Sequence, residues 1–155
     1  MSKDYVRPAT LHDALLVAKN IRLEDAMEVR ASSGQTPEEA LLYGFKASNP
    51  CFTIDVGGDI LGVFGAVPTE EPDAGVVWML GTDLIHKHWL KFLRHSRPWL
   101  DVLHQHYPLL FNVVDDRNKI HIAWLQWMGF SFINTHENYG PEGRRFHEFV
   151  RLQNV

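Results

Sequence analysis

The chain has 155 residues, 45% of them hydrophobic, and 15 Lys and Arg against 19 Asp and Glu, a net charge of −4. The length suits one ordinary domain, the hydrophobic share excludes a disordered chain, and the mild acidity gives no basic coat for nucleic acid. The lone cysteine, Cys51, excludes an internal disulfide and a cysteine-rich metal site.

The start, Met1 to Thr10, is polar and lacks an apolar signal core. No apolar run approaches the roughly 18 residues that cross a bilayer, so a cytoplasmic protein without membrane or nucleic-acid partners is expected. Tyr5–Arg7 reads as a short strand closed by Pro8. Thr10 then reads as an N-cap with Asp13 three residues on, and Leu11, Ala14, Leu15 and Ala18 follow helical spacing. Leu23–Ala31 is a second helical piece, ended by Ser32-Ser33-Gly34. Thr36-Pro37-Glu38-Glu39 is the clearest local signal: an N-cap, a proline at the first helical position and Glu at the third. That helix runs to about Ala47 and stops before Pro50.

Phe52–Val56 and Ile60–Val67 flank the turn Gly57-Gly58-Asp59, and Val76–Leu80 follows a polar turn at Thr69–Ala74, which together predict a three-stranded antiparallel meander. Cys51 reads as a small buried hydrophobe at its start. Residues 87–106 read as a helix with Trp89, Phe92, Leu93, Trp99, Leu100 and Leu103 on one face and Lys87, Lys91 and Arg94 opposite. Pro98 lies on the solvent side, giving either a bend or a fresh start at Ser96-Arg97-Pro98. Leu109–Val114 is an apolar strand after a long helix and should pair in parallel. Arg117–Met128 is a helix stopped by Gly129, and Phe130–Ile133 and Phe146–Leu152 are the closing strands. The order is β, two or three helices, βββ, α, β, α, ββ: a mixed α/β domain over residues 1–155, built on one sheet.

Nine histidines include the pairs His86/His88 and His104/His106, but that spacing puts the two side chains on different helix faces and no zinc-type motif accompanies them. No metal site is expected.

Two stretches carry a family resemblance. Val6-Arg7-Pro8-Ala9-Thr10, with Asp13 soon after, and Asn118 followed by Gly129-Phe130 at the end of its helix, are similar to sequences of the GNAT family, the coenzyme-A-dependent N-acetyltransferases. The resemblance implies the order β-α-α-β-β-β-α-β-α-β-β and acetyl-CoA bound where the fourth and fifth strands splay apart. It implies that an amine attacks the thioester directly, with main-chain N–H groups at Met79, Leu80 and Gly81 against the oxyanion. Lys87, His88, Lys91, Arg94 and Asn118 become candidate contacts for the coenzyme. Asp83 and His121 become candidate catalytic groups, with Glu70 and Glu71 as further bases by location. Two departures stand out. Thr82–His88, at the position of the family's glycine-rich phosphate loop, has no glycine, and Leu125 stands where many members place a proton-donating Tyr.

Trp78-Met79-Leu80-Gly81-Thr82-Asp83, the basic helix after it and Asn118 to Phe130 further resemble small GNAT-like proteins of tailed bacteriophages, the internal virion protein A group among them. This implies a host-cytoplasmic or virion protein that transfers an acetyl group to an amine of a host protein or small molecule. The alternative is a GNAT-fold binding module without catalysis, a virion component or modulator of a host enzyme. Trp124-Leu125-Gln126-Trp127-Met128 would then be a contact or homodimer surface.

Overall fold

The computed structural model describes residues 5–153. Expectations for the first four residues, including the lack of a signal core there, lie outside them, as do the ends of the 1–155 domain. The described chain runs β1 (Val6–Pro8), α1 (Leu11–Lys19), α2 (Leu23–Ser33), α3 (Pro37–Ala47), β2 (Cys51–Val56), β3 (Asp59–Pro68) and β4 (Ala74–Gly81). Then come α4 (Leu84–Lys87), α5 (Trp89–His104), β5 (Leu109–Asp115), α6 (Lys119–Trp127), β6 (Ser131–Tyr139) and β7 (Arg144–Leu152). Three helices precede the meander. The basic helix is a short turn followed by α5, which passes through Pro98 without a break.

Local chemistry sets the helix ends. Thr10 and Thr36 each accept the N–H three residues on while Asp13 and Glu39 reach back, so α1 and α3 both begin with complete capping boxes. Gly34 ends α2 with φ of 74°, a left-handed cap that a side chain would strain. Periodicity misjudges one face of α1. Leu11 and Leu15 are exposed, while Asp13 is buried among Arg7, Thr10 and Thr53. The capping carboxylate there turns inward because it has three donors to satisfy it.

The seven strands form one sheet in the order β1-β2-β3-β4-β5-β7-β6. All neighbours are antiparallel except β4 and β5. One face packs Val77 and Met79 of β4 against Phe92, Trp99, Leu100 and Leu103 of α5 and Leu125 of α6. The other packs Leu80 and Val63 against Ala14, Val17, Val29 and Leu41 of the first three helices. Cys51 is half-buried on this second face, where its thiol is pushed up to about 11 by burial. No helix among the described residues is long and apolar enough to cross a membrane.

Candidate active site

The site begins where the parallel pairing fails. β4 and β5 share three rungs, Ala74↔Leu109, Gly75↔Leu110 and Val76↔Phe111. A side chain takes the next rung: the Asn112 amide donates to Val77 O at 2.8 Å, and its Oδ1 accepts the Val113 N–H at 2.8 Å. Beyond this wedge β4 stays with β3 as far as Gly81, and β5 stays with β7 as far as Asp115. The two strands therefore diverge. Along a strand, N–H and C=O of one residue point to the same edge, and the edge alternates with each residue. Val77 and Gly81 face the splay, so Met79 between them does too. Its N–H has no ladder partner on β5 among the described residues.

The start of α2 lies across the wide end of the splay. Ile21 bridges to Thr82, and the Arg22 N–H donates to Gly81 O at 2.9 Å. Asp25 accepts the Gly81 N–H at 2.9 Å on one oxygen, and Arg22 at 2.8 Å and the Asn118 amide at 3.0 Å on the other. Glu28, one turn on, accepts the Asn118 amide at 3.1 Å and the Asp115 N–H at 3.2 Å through Oε1. His121 Nδ1 lies 3.9 Å from the same oxygen. Two carboxylates of one helix face thus tie the end of β4 to the end of β5.

Their surroundings shift the titrations. Burial, helped by the negative charge of Asp25, pushes the Glu28 carboxyl up to about 8, so it holds its proton at neutral pH. Burial lowers His121 below its ordinary value, which keeps the ring neutral. Among the described residues several buried polar atoms here have no hydrogen-bond partner: Asn118 Oδ1, Arg22 Nε and Nη2, and Trp124 Nε1, although Arg22 Nη2 lies 3.6 Å from Glu24 Oε1.

A cavity of about 300 Å³ passes through the splay. Val77 to Leu80 form one wall and Asn112 and Val113 another, with Trp99 and Leu103 of α5 and Leu125 of α6 on one side of the sheet. On the other side it reaches Glu28, Ser33, Tyr43 and Tyr139. Among the described residues no Lys, Arg or Asp faces it. A smaller cavity beside it is bounded by Arg22, Trp89, Phe92 and Trp124. Phe92 of α5 and Trp124 of α6 bring their rings to 4.8 Å of each other.

The predicted residues fall into two groups. Met79, Leu80, Asn118 and His121 converge on the splay, as does Gly81, whose N–H is already taken by Asp25. Lys87 and His88 instead hold Asp59 of β3, at 3.1 and 2.8 Å. Lys91 sits over the Tyr5 ring at 5.3 Å, and Arg94 is exposed. Asp83 is exposed at the start of α4 and faces neither cavity. Glu70 and Glu71 occupy the exposed turn before β4, at the opposite end of that strand from the splay. The Trp124–Met128 run is not a continuous surface: Leu125 and Met128 are buried, and the exposed Trp127 bonds Leu93 O and lies beneath Arg97. Sequence reasoning missed Asp25 and Glu28. Their three-residue spacing, which places two carboxylates on one helix face, was the available signal. Among the described residues no group of three or more His, Cys, Asp and Glu is placed to hold a metal.

No family model matches the sequence, and no curated protein matches it. Solved structures do. A ribosomal-protein-alanine N-acetyltransferase from Brucella melitensis superposes with a TM-score of 0.69 at 14% identity, over 95% of this chain and 98% of the other. A putative acetyltransferase from Salmonella typhimurium, solved with acetyl-CoA, gives 0.71 at 10% identity over 97% and 94%. The aminoglycoside acetyltransferase AAC(6')-Ib with coenzyme A gives 0.68 at 14% identity over 96% and 94%. The chain therefore has the GNAT acetyltransferase fold, with the mixed sheet and helix order that its sequence predicts.

Proposed function

We propose that this chain is an N-acyltransferase that takes an acyl group from acyl-coenzyme A to an amine. The observation that carries the reading is the splay itself: an apolar cavity crossing the sheet beside the unpaired N–H of Met79, with Glu28 and the neutral His121 on its wall.

The residues present fit the acyl end of the coenzyme. Among the described residues the Met79 N–H has no ladder partner on β5, Asn118 Oδ1 is a buried acceptor without a hydrogen-bond partner beside the splay, and the cavity wall, free of Lys, Arg and Asp, suits a neutral pantetheine arm. The diphosphate would lie outside the cavity, at the first turn of α5 and near Lys91 and Arg94, where helix N–H groups substitute for a glycine cradle. When bound, acyl-coenzyme A supplies a thioester carbonyl open to attack by an amine. Met79 then directs its N–H at the oxygen on which negative charge develops. His121, neutral and 3.9 Å from Glu28, accepts the proton that the amine gives up. Leu125 is buried in the core, so no hydroxyl at that position protonates the leaving sulfur; the C–S bond breaks as the new C–N bond is kept, and coenzyme A leaves as a thiolate that takes its proton from solvent. Asp83, exposed and lining neither cavity, has no part in this scheme.

The acceptor, an amine of a host protein or a small amine in a phage setting, belongs to the proposal too. It is supported only by the resemblance of Trp78–Asp83 and Asn118–Phe130 to phage GNAT-like sequences.

One observation favours a second reading, a binding module without catalysis. The chain's own α2 closes the wide end of the splay with Asp25 and Glu28. Calorimetric titration with acetyl-CoA separates the two. Micromolar binding, weakened at least tenfold by Asn118→Ala, together with thiol release when an amine is added, supports transfer. No heat at millimolar ligand would leave the binding module.

A further inference from the structure

We infer that the acceptor is a single primary amine on an apolar, ring-sized body, entering the cavity between Ser33, Tyr43 and Tyr139 and pairing its ammonium with Glu28. This rests on the acyl-transfer reading and adds the acceptor class to it.

Charge complementarity within the cavity selects the acceptor. Among the described residues Glu28 is the one carboxylate that faces the cavity, and no Lys, Arg or Asp joins it. A carboxylate or phosphate ligand would meet no counter-charge. A polyamine or aminosugar would leave its further ammonium groups against Val29, Val76, Trp78 and Phe146, and burying an unpaired charge is costly. One carboxylate matches one ammonium.

Glu28 is free to make that pair. Its Oε1 takes both hydrogen bonds, from Asn118 and Asp115, while Oε2 accepts none of those described, and the side chain remains 15% exposed on the cavity wall. The mouth is on the same side of the sheet, where Ser33 and Tyr43 are the exposed wall residues. About 300 Å³ is at the small end of ligand pockets and suits an arylalkylamine.

Among the described residues no Lys or Arg bonds Glu28, and Arg117 acts on it only at a distance. Asp25 on the same helix is held by Arg22, Asp115 on β5 by Arg117, and Asn118 and the neutral His121 face it from α6. The carboxyl therefore keeps its proton when the cavity is empty. An arriving ammonium displaces that proton to solvent and leaves an ion pair. In the acyl transfer it returns one proton to the Glu28 carboxylate to free the amine lone pair before His121 takes the second. With the carboxyl at about 8, affinity should rise about tenfold from pH 7 to pH 9.

The test is calorimetry of phenethylamine, spermidine and phenylacetate at pH 7 and 9, with and without saturating coenzyme A. Phenethylamine should bind, about tenfold tighter at pH 9, with heats that vary with buffer ionisation as one proton leaves. Glu28→Gln should weaken it about tenfold and flatten the pH dependence. Ser33→Trp narrows the mouth without touching Glu28 and should weaken it as well, which keeps the test decisive if the Gln variant folds poorly. Equal or tighter binding of spermidine or phenylacetate overturns the inference, as does the absence of phenethylamine binding under both conditions. A titration with acetyl-CoA alone keeps the two ideas apart. Acetyl-CoA binding without amine binding sinks only the acceptor class, and amine binding without acetyl-CoA binding sinks only acyl transfer.

Discussion

Glu28 and Asp13 are both enclosed carboxylates, yet their surroundings drive them in opposite directions. Asp13 is met by the Arg7 guanidinium at 2.7 and 3.0 Å, the Thr10 N–H and the Thr53 hydroxyl; burial works against ionisation, but these donors prevail and hold it well below the usual carboxylate range. Its stabilising effect is present at neutral pH and is lost only in strong acid, as pH falls through the folded-state value. Glu28 has amide donors but no cation, and Asp25 stands beside it. Its folded-state value lies above the unfolded one, so the native state binds the extra proton. Stability from Glu28 is full below the usual carboxylate range and is lost as pH rises towards 8. Glu28→Gln keeps an oxygen for Asn118 and Asp115 but removes the titration. The variant should match the natural chain at pH 4 and exceed it at pH 9 by on the order of 2 kcal/mol, read from thermal or urea unfolding at both pH values. A variant equally stable or weaker at pH 9 would show that Glu28 ionises without strain.

At the scale of elements, α2 and α3 are pinned to the sheet by different means. α3 lies so close that a Cβ on Gly44 would stand 2.5 Å from Trp78 Cζ2, while the Trp78 indole donates to Ser48 at 2.7 Å. Gly44→Ala must push the ring or the helix away and should cost about 1–3 kcal/mol despite alanine's better helix propensity. α2 is pinned by polar bonds: Asp25 holds Gly81, Arg22 and Asn118 at once. Asp25→Ala strands the buried Arg22 and should cost about 3–5 kcal/mol in urea unfolding. What was legible in the sequence divides along the same line. The caps at Thr10 and Thr36, the Gly57-Gly58 hairpin and the parallel β5 are written in a few adjacent residues, and the structure has each. The polar lock is only half local: the spacing of Asp25 and Glu28 puts both on one helix face, but their partners, Asn118 and Asp115, lie far along the chain, so no local pattern announces the pairing. Lys87 and His88 show the converse. They look free along the chain, yet the β2–β3 hairpin brings Asp59 to them. The exposed Leu11 and Leu15 mislead for a related reason, since buried Asp13 rather than a leucine occupies the inner face of α1.

At the scale of the whole molecule, the sheet is two blocks, β1–β4 and β5–β7, joined along one edge by three backbone rungs and the Asn112 wedge. The rest of the joint is side chains: the α5–α6 core on one face and the Asp25–Glu28–Asn118 lock at the wide end. A ligand lying in the splay touches both blocks and is lost when they part, so its binding energy adds to the stability of the joint. For acyl-coenzyme A at about 100 times its dissociation constant the gain should be about 2.7 kcal/mol, or an upward shift of about 5–10 °C in Tm for a domain of this size. Lys87→Ala should leave that shift intact, because Lys87 is engaged with Asp59 away from the splay, whereas Asn118→Ala should reduce it. Amide hydrogen exchange locates the effect. Protection should rise at Met79, whose N–H gains an acceptor, and at Asp115, and should stay unchanged along the β2–β3 ladder, which neither joins the blocks nor meets the ligand. A uniform rise over every strand would mean that the ligand binds outside the splay and stabilises the chain only as a whole. Protection confined to the two splayed edges would place it between them.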